Sequence, residues 1–492
     1  MNILLVNPET PLTFWSFKYA LKFISRKSSE PPLGLLTVSS MLPGEWNKKL
    51  VDLNIENLKD RDIKWADYVF ITGMDIQRKS FIQVIERCKN LRTKIVAGGP
   101  MCTMEPEQFT EVDHLVLNEA EITLPMFLSD LKAGKPKHIY TSKEFPDIRE
   151  TPVPDWSLLK MKYYASMSIQ YSRGCPFDCE FCSIGFLNGH RPRTKSTKQF
   201  VGELELLYRE GWRGSVFIVD DNFIGNKKKL KAKVLPAMVE WSRNRNYPFS
   251  FITEASINIA DDDELIDLMT RAGFDSAFIG IESTNEKSLE ECGKNQNKNR
   301  DILRSVKKLQ KKGISVSGGF ILGFDNDPPE IFEEQKNFIQ KSGIVTAMVG
   351  LLNAPPHTKL FERLKRENRL LNTAIDGNNM DTEINFLPRM NLESLKKGYR
   401  ELLKKIYSPS PYYERVKTFL KEYEPTKKYL RIPLNHIGAF LKAAWKLGIV
   451  EKGRKYYWRL IFDTLRHYPE KISTAVTMAI YGFHFRKVIE QI

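Results

Sequence analysis

Apolar residues fall into two rhythms along this chain. Over the first 150 residues, short apolar runs alternate with stretches of helical spacing. "NILLVNP" (2–8), "KKLVDLN" (48–54), "ADYVFITGM" (66–74), "TKIVAGGP" (93–100) and "DHLVLNE" (113–119) read as strands. "LGLLTVSSML" (33–42) and "KSFIQVIERCKNL" (79–91) read as helices. Such alternation predicts an open, mostly parallel sheet with both faces covered. In such sheets ligands sit beyond the C-terminal strand ends, so "GMDIQ" (73–77), "GGP" (98–100) and "NEAE" (118–121) are expected around one crevice.

The rhythm resumes further along. "SIQYS" (168–172), "SVFIVDD" (215–221), "FSFITEAS" (249–256), "SAFIGIES" (276–283), "SVSGGFILGF" (315–324) and "TAMVGLLNA" (346–354) predict strands. Helical patterns at 197–211, 227–244 (despite Pro236) and 261–273 fall between them. Strands alternating with helices in this number predict a partial (β/α)6 barrel, with its chemistry at the C-terminal strand ends. The Pro-rich "FPDIRETPVPDW" reads as an extended crossing. After residue 391 the pattern is helical only, at 392–407, 436–450, 454–468 and 471–489. The expected α/β organisation is a Rossmann-like parallel sheet (1–134), a connector (135–165), the barrel (166–390) and a basic helical C-terminal domain (391–492). A chain of 492 residues is long enough for several cores.

Charge changes the picture at one end. The net charge is +15, and residues 391–492 carry 21 Lys/Arg against 9 Asp/Glu. A basic, aromatic end suits peripheral contact with an anionic membrane, a nucleic acid, or no partner beyond water. No OB-like domain or aromatic–basic RNA motif is visible, which argues against nucleic acid. No uninterrupted apolar run of about 18 residues is present, so no spanning helix is expected. "MNILLVNPE" opens as a strand, not as a signal peptide. The expected location is cytoplasmic, with peripheral contact at the inner face of the membrane.

Six cysteines in a chain this long do not make a disulfide scaffold. Three of them, Cys175, Cys179 and Cys182, crowd into "GCPFDCEFCSIG". Thiolates suit zinc, copper(I) and iron–sulfur clusters. A structural zinc needs a fourth ligand, for which His190 is the nearest candidate. However, the motif leaves a barrel strand at the catalytic mouth. There, a [4Fe–4S] cluster on three thiolates would keep one iron open for a ligand bearing an amine and a carboxylate. Cys88, Cys102 and Cys292 lack metal spacing and read as small buried hydrophobes.

C-x3-C-x2-C after a first barrel strand, with Phe181 before the third cysteine, resembles the radical SAM signature. The resemblance implies that the three cysteines hold a [4Fe–4S] cluster. S-adenosyl-L-methionine would bind at its open iron and be cleaved to a 5′-deoxyadenosyl radical, with electrons from a donor such as flavodoxin or ferredoxin. Phe181 and the glycines of "GGF", Gly318 and Gly319, would lie near the adenine. Glu254, Ser256 and Glu282 are further cofactor candidates, or else caps and salt-bridge partners. Tyr171, Asp221 and Asn222 are candidate catalytic contacts.

The preceding sheet resembles the cobalamin-binding class. That likeness puts Thr72, Gly73, Met74, Gln77, Gly98, Gly99, Pro100 and Glu119 beside a cobalamin. No D-x-H-x-x-G loop is present, and "MDIQRKSF" stands in its place. The cobalamin is therefore expected without a histidine lower ligand. Stretches such as "FITEASINIA", "GGFILGFDND" and "GNNMDTEINFLP" resemble the branch that includes the hopanoid C-2 methylase and archaeal enzymes building tetraether-lipid rings. That branch implies C-methylation of an unactivated carbon in an isoprenoid or other lipid, through methylcobalamin. The alternatives are ring or C–C bond formation without methyl transfer and, from another class, an RNA-modifying iron–sulfur protein.

Overall fold

A computed structural model describes residues 1–371, 373, 377–425 and 434–492. Six parallel strands form the first sheet: β1 (Asn2–Asn7), β2 (Asn47–Asp52), β3 (Tyr68–Thr72), β4 (Lys94–Gly98), β5 (His114–Val116) and β6 (Ile139–Tyr140). Their order is β2-β1-β3-β4-β5-β6. Ile3 to Val6 are fully buried because helices cover both faces. The chain leaves β1 for β2 on one side and then returns to β3 on the other. The loops after β1 and β3 therefore diverge and open a crevice. Strand β6 falls within the connector, 135–165, ahead of the Pro-rich stretch. A two-residue strand carries no rhythm of its own, and only its pairing with Leu115 and Val116 defines it.

The second sheet holds β7 (Ser166–Ile169), β10 (Gly214–Ile218), β11 (Phe249–Ala255), β12 (Phe274–Glu282), β13 (Ser315–Leu322) and β14 (Ala347–Leu351). All pair in parallel, in the order β14-β13-β12-β11-β10-β7. This is the partial (β/α) barrel. Between β7 and β10 a small hairpin, β8 (Ser172–Arg173) with β9 (Arg193–Thr194), brackets the cysteine loop. On β11 the period of two is plain. Phe249, Phe251, Thr253 and Ala255 are buried under helices, whereas Ile252 and Glu254 face the lumen. The helix through Pro236 is continuous because a wide turn, Leu230–Val234, directly precedes it. That turn relieves the clash of the proline ring with the preceding turn.

Strands β7 and β14 do not pair, and this leaves a seam. Residues 13–30 and the C-terminal helices border it. The amides of Ala165 and Ser166 donate to the carbonyls of Ser28 and Ser29 at 3.0 and 2.9 Å. Phe14 stacks on Phe485 with ring centroids 4.1 Å apart. The buried His484 donates from Nε2 to the Phe14 carbonyl at 3.0 Å, and burial pulls its pKa down to about 4, so the ring is neutral. The C-terminal helices are Leu392–Tyr407, Pro409–Glu422, Leu434–Trp445, Arg454–His467 and Ile472–Ile489. The second is absent from the sequence expectation, since "SPSPYY" looks like a loop. Pro409 is in fact at the start of the helix, where its missing N–H costs nothing. Among the described residues, no helix is long and apolar enough to cross a membrane.

Candidate active site

One chamber of about 2370 Å³ lies between the two sheets and runs into the barrel lumen. A pocket for a single small ligand is typically about 300–1,000 Å³, so this one has room for more than one molecule. Thr72, Gly73, Met74, Gln77, Gly98, Gly99, Pro100 and Glu119 all line it from the first sheet. Gly99 has φ +90°, and a Cβ there would strike the Thr72 hydroxyl; one on Gly98 would strike the Val116 carbonyl. Bare backbone thus forms this wall for a steric reason. Gln77 donates to the Pro8 carbonyl at 2.7 Å and accepts from the Met74 amide at 3.1 Å, which ties the two diverging loops together. His114 and His138 are outside the chamber wall. The histidine in the wall is His357, which stacks on Phe186 at 4.3 Å, with Nε2 3.0 Å from the Met104 carbonyl.

The cysteine loop is held by "VDDN", which follows β10. Asp220 is buried and accepts from the amides of Tyr171 and Ser172, both at 2.8 Å, and from the Ser172 hydroxyl at 2.6 Å. Burial pushes its carboxyl up to about 7 despite those bonds. Asp221 accepts from the Gly174 amide at 2.7 Å and from Asn188 at 3.0 Å. Asn222 points its amide at Cys175 Sγ, 3.9 Å away, and at Ser256 Oγ, 3.3 Å away. These contacts hold both ends of the loop.

Beside the loop sits a buried ion pair, Lys294 with Glu282 at 2.6 Å. Glu282 has φ +64°, and Gly280 lacks the Cβ that would collide with both side chains. Burial pulls the Lys294 ammonium down, but the charges of Glu282 and then Cys179 outweigh it, and the net shift is upward. Desolvation by surrounding protein raises all three thiols, Cys182 to about 12 although that residue is exposed at the surface and Cys175 and Cys179 are half-buried. A nearby fixed cation opposes that rise and favours thiolate.

Phe181, Asp221, Glu254, Glu282 and Gly319 line the chamber. Ser256, Asn222 and Gly318 lie just behind its wall. Tyr171 is in the core, packed against Phe200 and Phe223 at 5.2 and 5.9 Å. Glu119 pairs with Arg173 at 2.6 Å and Arg193 at 2.5 Å, while Glu121 pairs with Arg173 at 2.8 Å. This network joins the first sheet to the cysteine hairpin. Sequence reasoning passed over Lys294, because "CGKNQNK" looks like an ordinary helix end. It also missed Glu30, which belongs to a segment with no motif. Glu30 and Glu254 face the chamber, and each is raised to about 7. The main cause is burial; at Glu254 the charges of Asp221, Glu30 and Asp220 add to it.

These acids bind more protons folded than unfolded between about pH 4.5 and 7, so their ionisation costs stability as pH rises through that window. Urea unfolding of the apoprotein is therefore expected to show a slope against pH there. Glu254→Gln is expected to reduce that slope by about one proton; an unchanged slope would show that Glu254 is ionised throughout.

Among the described residues, no three His, Cys, Asp or Glu side chains close on a single metal ion. Three thiols on one short loop would instead suit a cluster, in which each thiolate would meet a different iron. The chamber wall takes in Phe181, Ser183 and Ile184 of this loop, while Cys175, Cys179 and Cys182 lie outside the lining.

Residues 169–339 match the radical SAM superfamily, and residues 358–492 match a domain of unknown function, DUF4070. The chain is 40% identical to an uncharacterized methyltransferase of Synechocystis sp., over all of this chain and 93% of that one. It is 32% identical to the hopanoid C-2 methylase of Rhodopseudomonas palustris, over 94% and 89%. Two solved structures share the fold. OxsB, a cobalamin-dependent S-adenosylmethionine radical enzyme solved with aqua-cobalamin, has TM-score 0.61 and 16% identity, over all of this chain and 80% of that one. TsrM from Kitasatospora setae, a radical S-adenosylmethionine methyltransferase solved with cobalamin and a [4Fe–4S] cluster, has TM-score 0.61 and 15% identity, over 93% and 98%. The chain belongs to the radical SAM superfamily, in the family it shares with the hopanoid C-2 methylase and the Synechocystis methyltransferase.

Proposed function

We propose that this enzyme uses S-adenosylmethionine and cobalamin to methylate an unactivated carbon of an isoprenoid or similar lipid. The observation that carries the reading is the continuity of the chamber. One space joins the cysteine loop, the bare Gly98-Gly99-Pro100 wall and the lumen. A flat macrocycle against that wall would face the cysteine loop across the space where a substrate carbon must sit. When bound, the cluster and S-adenosylmethionine supply a hydrogen-abstracting 5′-deoxyadenosyl radical, and cobalamin supplies the methyl group.

In this reading Cys175, Cys179 and Cys182 hold the cluster, and Asn222 orients Cys175. Phe181 and Gly319 border the adenine. Glu254 and Glu282 meet polar groups of the S-adenosylmethionine, with Ser256 and Gly318 shaping the wall behind them. Asp221 keeps the loop closed through Gly174. Residues 1–134 would hold the cobalamin, 166–390 would hold the radical source, and 391–492 would cover the substrate. The apolar lumen residues Phe217, Ile252, Phe278 and Met348 suit a hydrocarbon substrate, and the relative's name, hopanoid C-2 methylase, points to the same class. An external one-electron donor is required.

Anaerobic reconstitution with iron, sulfide and hydroxocobalamin tests the cofactor set. The expected protein retains cobalamin absorbance after desalting, carries about four irons per chain, and releases 5′-deoxyadenosine when reduced with S-adenosylmethionine. Absence of 5′-deoxyadenosine under every reductant would sink the radical reading. Loss of all cobalamin on desalting would sink the methyl-donor assignment alone.

A further inference from the structure

The chamber does not end inside the barrel. Its wall reaches the seam between β7 and β14, where Phe17, Leu21 and Ile24 of the N-terminal segment and Ala439, Phe440 and Ile480 of the C-terminal helices line it. Ile24 is both wall and surface, at 46% exposed. Beside this opening, helix Leu434–Trp445 and the wide turn Lys446–Val450 carry an outward apolar stripe. Ile437, Leu441, Trp445 and Ile449 recur every fourth residue on one face. Leu441 is 62% and Trp445 64% exposed. The helix is tied to the rim of the opening, since Lys442 Nζ donates to Ser25 Oγ at 2.8 Å. The next helix extends the patch. Its Phe462, 63% exposed, stacks on Trp458, whose indole N–H donates to the Gly448 carbonyl at 2.9 Å.

Contiguous apolar surface of this kind calls for a partner, and charge selects which one. Between Ile437 and His467 lie seven Lys/Arg against two acidic residues. A second copy of this +15 chain would bring like charge to the contact, whereas an anionic bilayer complements it. Trp445 in the middle of the stripe suits the headgroup level.

We propose that this face docks on the surface of an anionic bilayer, so that the apolar chain of a membrane lipid passes through the seam into the lumen. The passage of the lipid rests on the functional reading above; the docking itself is measurable without catalysis. Purified full-length protein, without cofactors, is sedimented with vesicles of equal parts phosphatidylcholine and phosphatidylglycerol, and with vesicles of phosphatidylcholine alone. Binding is expected to the anionic vesicles and to weaken with salt. The double variant L441E/W445E, altered only at exposed side chains, is expected to bind at least about tenfold more weakly with an unchanged unfolding curve. Equal binding by the variant, or none by the parent, overturns the proposal. So does a concentration-dependent dimer that the variant dissolves, because a second copy would then cover the stripe. None of these results bears on 5′-deoxyadenosine formation, so docking and chemistry fail separately.

Discussion

Cys182→Ala is expected to abolish cluster retention and drop 5′-deoxyadenosine release to background, while the apoprotein folds as before. On the proposed reading, three thiolates would each hold one iron and leave one open; two would leave two open, and the S-adenosylmethionine site would lose its definition. The fold is indifferent because Cys182 belongs to no hydrophobic cluster and sits on a loop already fixed by Asp221 and Asn222. Its unfolding free energy is expected within about 0.5 kcal/mol of the parent, as for most substitutions away from the core. Cys292→Ser provides the contrast. Cys292 is buried among Phe324, Leu352 and Leu364, so this change is expected to cost about 1–3 kcal/mol and to leave iron content intact. Iron, sulfide and 5′-deoxyadenosine assays alongside urea unfolding separate the two behaviours. Full iron content in Cys182→Ala would contradict the ligand assignment.

Lys294→Met is expected to have the second-largest effect, and on two properties at once. The Lys294 and Glu282 side chains are only 12% and 9% exposed. Removal of the cation strands a carboxylate in a site closed by β12 and the cysteine loop. Breaking a buried pair from one side typically costs about 3–5 kcal/mol. The double variant Lys294→Met/Glu282→Leu is expected to recover most of that loss, since matched apolar groups replace a buried pair at little cost. Lys294 and Glu282 act on Cys179 with opposite sign. The reconstituted cluster is therefore expected to be harder to reduce in the single variant, read as a lower potential in a spectroscopic titration, and to lie closer to the parent in the double variant, which removes both charges. If the double variant is as unstable as the single one, the pair is not the source of the cost.

Much of the architecture was legible because periodicity survives in the elements that carry it. The runs in β1 and β3 and the alternation in β11 follow directly from burial on two faces or on one. The cysteine loop stood out because its spacing is local in the sequence. What escaped depends on the assembled fold. Strand β6 exists by pairing alone. Tyr171 looks like a mouth residue from its place after β7, yet its ring turns into the core against Phe200. Glu119 follows β5 as a crevice residue should, and it lines the chamber, but it is also committed to Arg173 and Arg193 on the hairpin. Lys294 acquires meaning only from Glu282, twelve residues before it across a bulge that Gly280 permits. The seam was beyond reach altogether, because residues 13–30 and the terminal helix meet there across nearly the whole length of the chain.

If one chamber brings a radical source, a methyl donor and a lipid carbon together, the reconstituted, reduced enzyme given methyl-labelled S-adenosylmethionine and a total lipid extract shows it most directly, by mass spectrometry. The expected result is labelled methyl on an isoprenoid lipid, with 5′-deoxyadenosine formed in step and both signals absent from Cys182→Ala. Formation of 5′-deoxyadenosine with a new ring or carbon–carbon bond and no label in lipid would contradict methyl transfer.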